Sequence, residues 1–242
     1  MLQQALHPVV VSGFQAHSRW AAQPWSRLTR TADFVALATF GDSATVAAAA
    51  AGVRRGHRHE FTDPQTGRTR RLDEPELLAW VHCCLVDSFL DVSVRAGLRL
   101  SAAEQDTFVA EQVRFGELVG LQARDLPQDR AELAAYFAAI RPSLRLTPPA
   151  CDAVATLLAA PLPPSVELLT PARLGWTALG ALAVGSLPPW ARAMFPIPIG
   201  VEPLTAGAVT AGLRALRLTT TGLRVAVPGA GRGPHELSLI HI

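Results

Sequence analysis

Five consecutive alanines, Ala47 to Ala51, lie in a stretch that opens on Gly41-Asp42-Ser43 and closes on Val53-Arg54-Arg55-Gly56-His57-Arg58-His59. Alanine has the highest helix propensity of any residue. Gly41 can end one helix, while Asp42 and Ser43 supply the side-chain oxygens that cap the start of another. The pattern therefore predicts a long helix over Ser43 to His59, ending in two histidines and three arginines.

Helical steps back from His57 reach Val53, Ala50, Ala49 and Val46, an apolar and mostly small stripe. A flat aromatic macrocycle could approach such a backbone closely, with His57 at its edge. The same steps from His59 give Arg55, Gly52 and Ala48, a less coherent face. Of the two histidines, His57 is the better candidate ligand.

The rest of the chain also reads as helix. Alanine and leucine dominate, only one tyrosine is present, and no alternating strand pattern rises above noise. Leu2 to Trp20, Trp25 to Phe40, Pro75 to Ala96, Ser101 to Val119, Pro127 to Ile140 and Pro148 to Leu158 are predicted helices. Pro171 to Val184, Pro188 to Met194 and Leu204 to Leu218 follow. Asp63-Pro64-Gln65-Thr66-Gly67 is a turn signal, and Ser101-Ala102-Ala103-Glu104 is a capping box. The expected fold class is all-α, a single helical domain over residues 1–225, with 226–242 as a disordered or artefactual tail. The helical pattern begins at Met1 itself, as though a further segment preceded it.

With 242 residues and 49% apolar composition, the chain can bury a full core. A net charge of +2, with no basic stripe interleaved with aromatics, excludes nucleic acid as a partner. Every one of the 22 basic residues is arginine, so no lysine can act as nucleophile or ligand. Cys83, Cys84 and Cys151 show neither metal nor disulfide spacing, which points to a reducing compartment. No signal peptide is evident, and the apolar run from Leu174 to Pro189 is short for a bilayer span. These features place the chain in the cytoplasm, with membrane contact at most peripheral.

Phosphate-binding, zinc-protease and nucleophile-elbow motifs are absent from the sequence. Three histidines, His17, His57 and His82, instead fall on apolar faces of three different predicted helices. One such residue alone is more often a core histidine. Three within the first 82 positions, near the shared face of Arg27, Arg30 and Thr31, favour a buried metal or cofactor site. A non-haem site wants a carboxylate, yet Met1 to Ala32 contains no Asp or Glu. A haem asks for one axial imidazole, apolar walls and arginines for its propionates or a bound oxygen species.

The order of short motifs also resembles a known family. Leu2-Gln3-Gln4-Ala5-Leu6-His7-Pro8, His17-Ser18 and Pro24-Trp25-Ser26-Arg27-Leu28-Thr29-Arg30-Thr31 are followed by Phe40-Gly41-Asp42. Val53-Arg54-Arg55-Gly56-His57, Asp63-Pro64-Gln65-Thr66-Gly67 and Leu78-Ala79-Trp80-Val81-His82 come next. Together they resemble the bacterial and fungal oxygenases that include latex clearing protein (rubber oxygenase) and the membrane-bound oxygenase of mycophenolic acid biosynthesis. The resemblance runs from about Met1 to Leu218.

The resemblance implies an all-helical domain enclosing a b-type haem, which oxidises an apolar, isoprenoid-type alkene with O2. It implies haem-iron ligation by His57, with His82 as the alternative ligand or as a core residue against Trp80. Arg54 is the nearer candidate for a propionate, and His17 is a pocket-wall or structural residue. Arg27 and Thr31 match the family's distal pair, as catalytic residues together with Arg30. Arg30 stands where rubber oxygenases carry a lysine, and arginine stays protonated and does not readily bind iron. The acid-free segment Met1 to Ser26 offers no counterpart to the glutamate base of those enzymes, which argues against long polyisoprene as substrate. Two other readings stay open: a non-catalytic haem sensor or carrier, and a helical protein with a non-haem metal or a lipid pocket.

Overall fold

A computed structural model of the chain describes residues 1–17, 24–159, 162, 164–196 and 204–226. The tail assigned to 226–242 therefore lies, from 227 onward, outside the described residues. The structure is mostly helical. In chain order the helices are α1 (Pro8–His17), α2 (Pro24–Phe40), α3 (Ser43–Gly56), α4 (Pro75–Arg95), α5 (Ala102–Val119) and α6 (Arg130–Ile140). They continue with α7 (Pro148–Leu158), α8 (Pro164–Leu169), α9 (Ala172–Ser186), α10 (Pro189–Arg192) and α11 (Ala206–Ala226).

Two departures from the sequence expectation have clear causes. The stretch expected as one helix from Leu2 splits into a 3-10 turn, Gln3–Leu6, and α1, with His7 extended between them at ψ 109°. Pro8 disfavours helical backbone at the residue before it, which forces this break. A short antiparallel hairpin, β1 (Glu60–Thr62) with β2 (Thr69–Arg71), also appears where no strand was expected. It flanks the foreseen turn, which Asp63 organises. Its carboxylate accepts from Gln65 N at 3.0 Å and from the Thr66 hydroxyl at 2.6 Å, while Gly67 takes a φ of 67°.

The centre of the protein is α4. Trp80 is fully buried, and its indole N–H donates to Gln4 O at 3.1 Å. Its ring meets His7 and Phe137, each at 5.9 Å between centroids. Leu6, Val10, Cys83, Val109 and Leu187 close around it. Burying each large side chain of this kind contributes about 1.5–3 kcal/mol. By length and composition α4 could cross a membrane, but half of its most apolar stretch is buried inside this core.

Sequence capping signals are honoured locally. Asp42 accepts from Ala44 N and Thr45 N at the start of α3. Ser101 and Glu104 form the reciprocal box at the start of α5, and Gly120 ends that helix at a φ of 107°. That angle favours glycine because it has no Cβ to clash with the following carbonyl.

Candidate functional site

The site begins with α3. Of the predicted stripe, Ala50 is fully buried, and Val46, Ala49, Val53 and His57 are half-buried, so the stripe does turn inward. The helix stops three residues earlier than expected, at Gly56. His57 is the capping residue, and its backbone N–H donates to Val53 O at 3.0 Å. His59 is exposed and already belongs to the hairpin, since its carbonyl accepts from Leu72 N. His57 therefore stands at the end of the helix, not in its last full turn.

Arg54, one turn before His57, has a defined partner. Its Nη1 donates to Leu118 O at 2.6 Å, and its side chain passes Gly120. The last turn of α5 contains no basic residue of its own. Arg54 thus supplies positive charge to the carbonyl end of a neighbouring helix, where the helix dipole favours it.

The second histidine, His82, lies on α4 and is 5% exposed. Its expected packing partner was Trp80, and the structure corrects this. Residues two apart on a helix point away from each other. Trp80 faces His7 and Phe137, whereas His82 stacks on Phe115 of α5, with centroids 6.3 Å apart and planes at 22°. Its other neighbour is Gly116. A Cβ there would stand 3.4 Å from the imidazole Cε1 and 3.5 Å from Nδ1. Among the described residues, His82 Nδ1 is buried and has no hydrogen-bond partner. Desolvation alone lowers its pKa to about 4, so the ring is neutral at physiological pH.

On α2, Arg30 is exposed and Thr31 half-buried. The side chains of Arg27 and His17 lie outside the described residues. Phe34, one turn beyond Arg30 and Thr31, meets Phe115 edge-on at 5.5 Å. Phe115 thereby links the arginine-bearing helix to His82, and α5 is touched by α2, α3 and α4 within Phe115–Gly120. Sequence reading missed Phe34, Phe115 and Gly116. Their signal, aromatic and small residues on α2 and α5, is common to any packed helix.

Among the described residues no three His, Cys, Asp or Glu side chains converge to hold a metal ion. An apolar cleft between the first 3-10 turn, α1 and α7 is lined by Ala5, Val11, Phe14, Val154 and Leu157, and by none of the candidate site residues. Gly13 of α1 packs against Leu72 and Phe61 of the hairpin region on another side.

No curated protein and no solved structure matches the chain. A family model described as ER-bound oxygenase mpaB/B'/Rubber oxygenase, catalytic domain, matches residues 1–222. With nearly the whole chain covered, including every candidate residue on α2, α3 and α4, the protein belongs to the mpaB/rubber oxygenase catalytic-domain family.

Proposed function

We propose that this protein is a b-type haem-dependent oxygenase that uses O2 to oxidise an apolar alkene of isoprenoid type. The observation that carries this reading is the family match over residues 1–222. The residues present suit a haem. His57 caps the end of α3 and His82 lies on α4, two helices that both pack against α5, and His82 is neutral and buried with an orphaned nitrogen. The half-buried small-residue stripe of α3 and the rings of Phe34 and Phe115 offer flat apolar surface.

Haem, when bound, supplies the redox chemistry and the dioxygen site. His57 is the residue assigned to hold the iron, as a neutral imidazole donating its lone pair. With a haem in place, Arg27 and Thr31 of the family motif, together with Arg30, would supply guanidinium and hydroxyl donors where negative charge builds up in the oxidation. Arg30 keeps its proton throughout and acts as a fixed cation. The apolar side chains around the site hold the alkene and exclude water. Cytoplasmic location with peripheral membrane contact belongs to the same proposal.

The test is an absorption spectrum of protein purified from haem-supplied cells, followed by exposure of the ferrous form to O2 and short terpenoid alkenes. The expected result is a Soret band weakened by His57→Ala, together with a carbonyl product. Absence of a Soret band sinks the reading. Haem binding with no carbonyl product across a broad alkene panel favours a sensor or carrier. Arg30 at the position of the rubber-oxygenase lysine supports that second reading.

A further inference from the structure

Charge is spread unevenly along the chain. Residues 1–167 carry 16 arginines and 18 acidic residues, whereas residues 168–226 carry five arginines and one acid, Glu202. Neither α9 nor α11 contains an Asp or Glu. The acids at their margin are already engaged: Glu167 of α8 pairs with Arg173, and Asp91, the last acid of α4, pairs with Arg95. An asymmetry of this sign favours an anionic partner.

The same two helices expose apolar surface. They pack where Gly185 of α9 meets Val209 and Gly212 of α11 meets Leu182, and a Cβ at either glycine would stand 2.5–2.6 Å from its neighbour. Helical steps back from Gly185 pass Leu182 and Ala178 and reach Leu174. This stripe is covered by α11 at one end and open at the other, where Ala178 is exposed and Leu174 is 73% exposed. On α11, Ala211, Arg214, Ala215 and Leu218 share an exposed face, and Leu218 is also 73% exposed. Apolar side chains concentrated on one pair of packed helices mark an interaction surface.

Cations border that surface. Arg217 ties α11 to the end of α4, its Nη1 donating to Ala96 O at 3.3 Å. Arg214 passes the same turn, 4.0 Å from where a Gly97 Cβ would stand, and Leu98 and Arg99 beyond it are exposed. Leucines that enter an apolar phase, beside guanidinium groups whose aliphatic stems let them reach anions above it, match a bilayer with anionic headgroups. A second copy of the chain matches poorly, because it would set Arg214 against another acid-free face.

We propose that the exposed faces of α9 and α11, with the turn after α4, form a docking surface for anionic lipid bilayers. Leu174 and Leu218 enter the interface, and Arg214 and Arg99 contact lipid phosphates and carboxylates. This rests on the peripheral membrane contact of the reading above, not on its haem, and names the surface that makes it.

The experiment is flotation of the full chain with vesicles of phosphatidylcholine alone and of phosphatidylcholine mixed equally with phosphatidylserine. Wild type is expected to float with the anionic vesicles and to be released from them by salt. Arg214→Gln is expected to weaken anionic binding about fivefold at low salt, and Leu174→Glu with Leu218→Glu about tenfold or more. Arg124→Gln, between α5 and α6, is the control and is expected to bind as wild type. Circular dichroism checks folding, and Arg214→Gln decides the matter where the leucine variant does not fold. Wild type that floats with neither vesicle overturns the membrane contact, and this surface with it. Binding unchanged in both variants overturns this surface alone, and equal binding to both vesicles overturns the role of anionic lipid. A dimer in light scattering that the leucine variant abolishes, without vesicle binding, assigns the surface to a second copy and overturns the proposal.

Discussion

Arg54 Nη1 donates to the Leu118 carbonyl at 2.6 Å, so the arginine beside the candidate haem ligand fastens α3 to the end of α5. A charged donor to a helix-end carbonyl contributes about 1.5–3 kcal/mol when partly buried. Arg54→Met keeps the aliphatic stem against Gly120 and removes the donor. Urea denaturation of the haem-free protein is expected to show a loss of about 1–2 kcal/mol. A propionate-binding Arg54 without a structural role would instead lower haem affinity and leave the haem-free protein unchanged.

Gly116→Ala tests the cradle of His82 directly. The added methyl group overlaps Leu126 Cδ1 and tightens on the imidazole at 3.4–3.5 Å. Overpacking a core position of this kind costs about 1–3 kcal/mol. The expected outcome is a lower melting temperature. An unchanged melt would mean that α4 and α5 separate more easily than their packing implies.

Much of this architecture is legible in the sequence, and what escapes it does so for physical reasons. The Asp42 cap, the Ser101–Glu104 box and the inward stripe of α3 are local patterns, and each is found where it was expected. Strands of three residues are too short to show alternation, so the Asp63–Gly67 turn was readable but its hairpin was not. The surroundings of His82 come from Phe115 and Gly116, more than thirty residues away, and periodicity along α4 cannot say which helix faces it. Nor can it say that Leu118 O will attract Arg54, since a backbone carbonyl has no sequence signature. Arg27 and His17, legible as motif residues, have side chains outside the described residues.

Asp87 gives a pH dependence of defined sign. Asp87 and Asp91 are four residues apart on α4 and so share a face of that helix. The structure separates them: Asp91 is exposed and pairs with Arg95, while Asp87 is half-buried and accepts from Gln3 Nε2 at 3.2 Å. Desolvation raises the Asp87 pKa, partly offset by the Gln3 hydrogen bond. The folded state therefore holds this proton more tightly than the unfolded chain. Its stabilising contribution is full below pH 3.8 and is lost as pH rises through the higher folded value. Asp87→Asn can still accept from Gln3 and never ionises. Its melting temperature is expected to exceed wild type at pH 7, with the difference closing as pH falls below 4. A difference that does not change with pH would mean that Asp87 is not the responsible group.

Gly13 decides how the hairpin is carried. A Cβ at this position on α1 would overlap Leu72 Cδ2 and stand 3.0–3.2 Å from the Phe61 ring. Phe61 is the buried residue of β1, and Gly13 is itself buried. The Phe61 ring and the Leu72 side chain reach the backbone of α1 this closely only because Gly13 carries no side chain. Gly13→Ala has to push the Phe61 ring and Leu72 away together, against the helix-propensity gain of about 1 kcal/mol that alanine brings. Overpacking of about 1–3 kcal/mol exceeds that gain, so net destabilisation is expected. The affected segment is specific: amide hydrogen exchange should quicken at Asp63 and Leu72, whose N–H groups bond to Arg68 O and His59 O. The N–H of Gly120 at the end of α5 should keep its protection. Because His59 lies two residues beyond His57, loosening the hairpin also loosens the chain that follows the candidate ligand. Haem-loaded Gly13→Ala is therefore expected to lose haem faster than wild type in a transfer assay to a competing acceptor. Unchanged exchange and unchanged haem release would show that the hairpin is held from elsewhere.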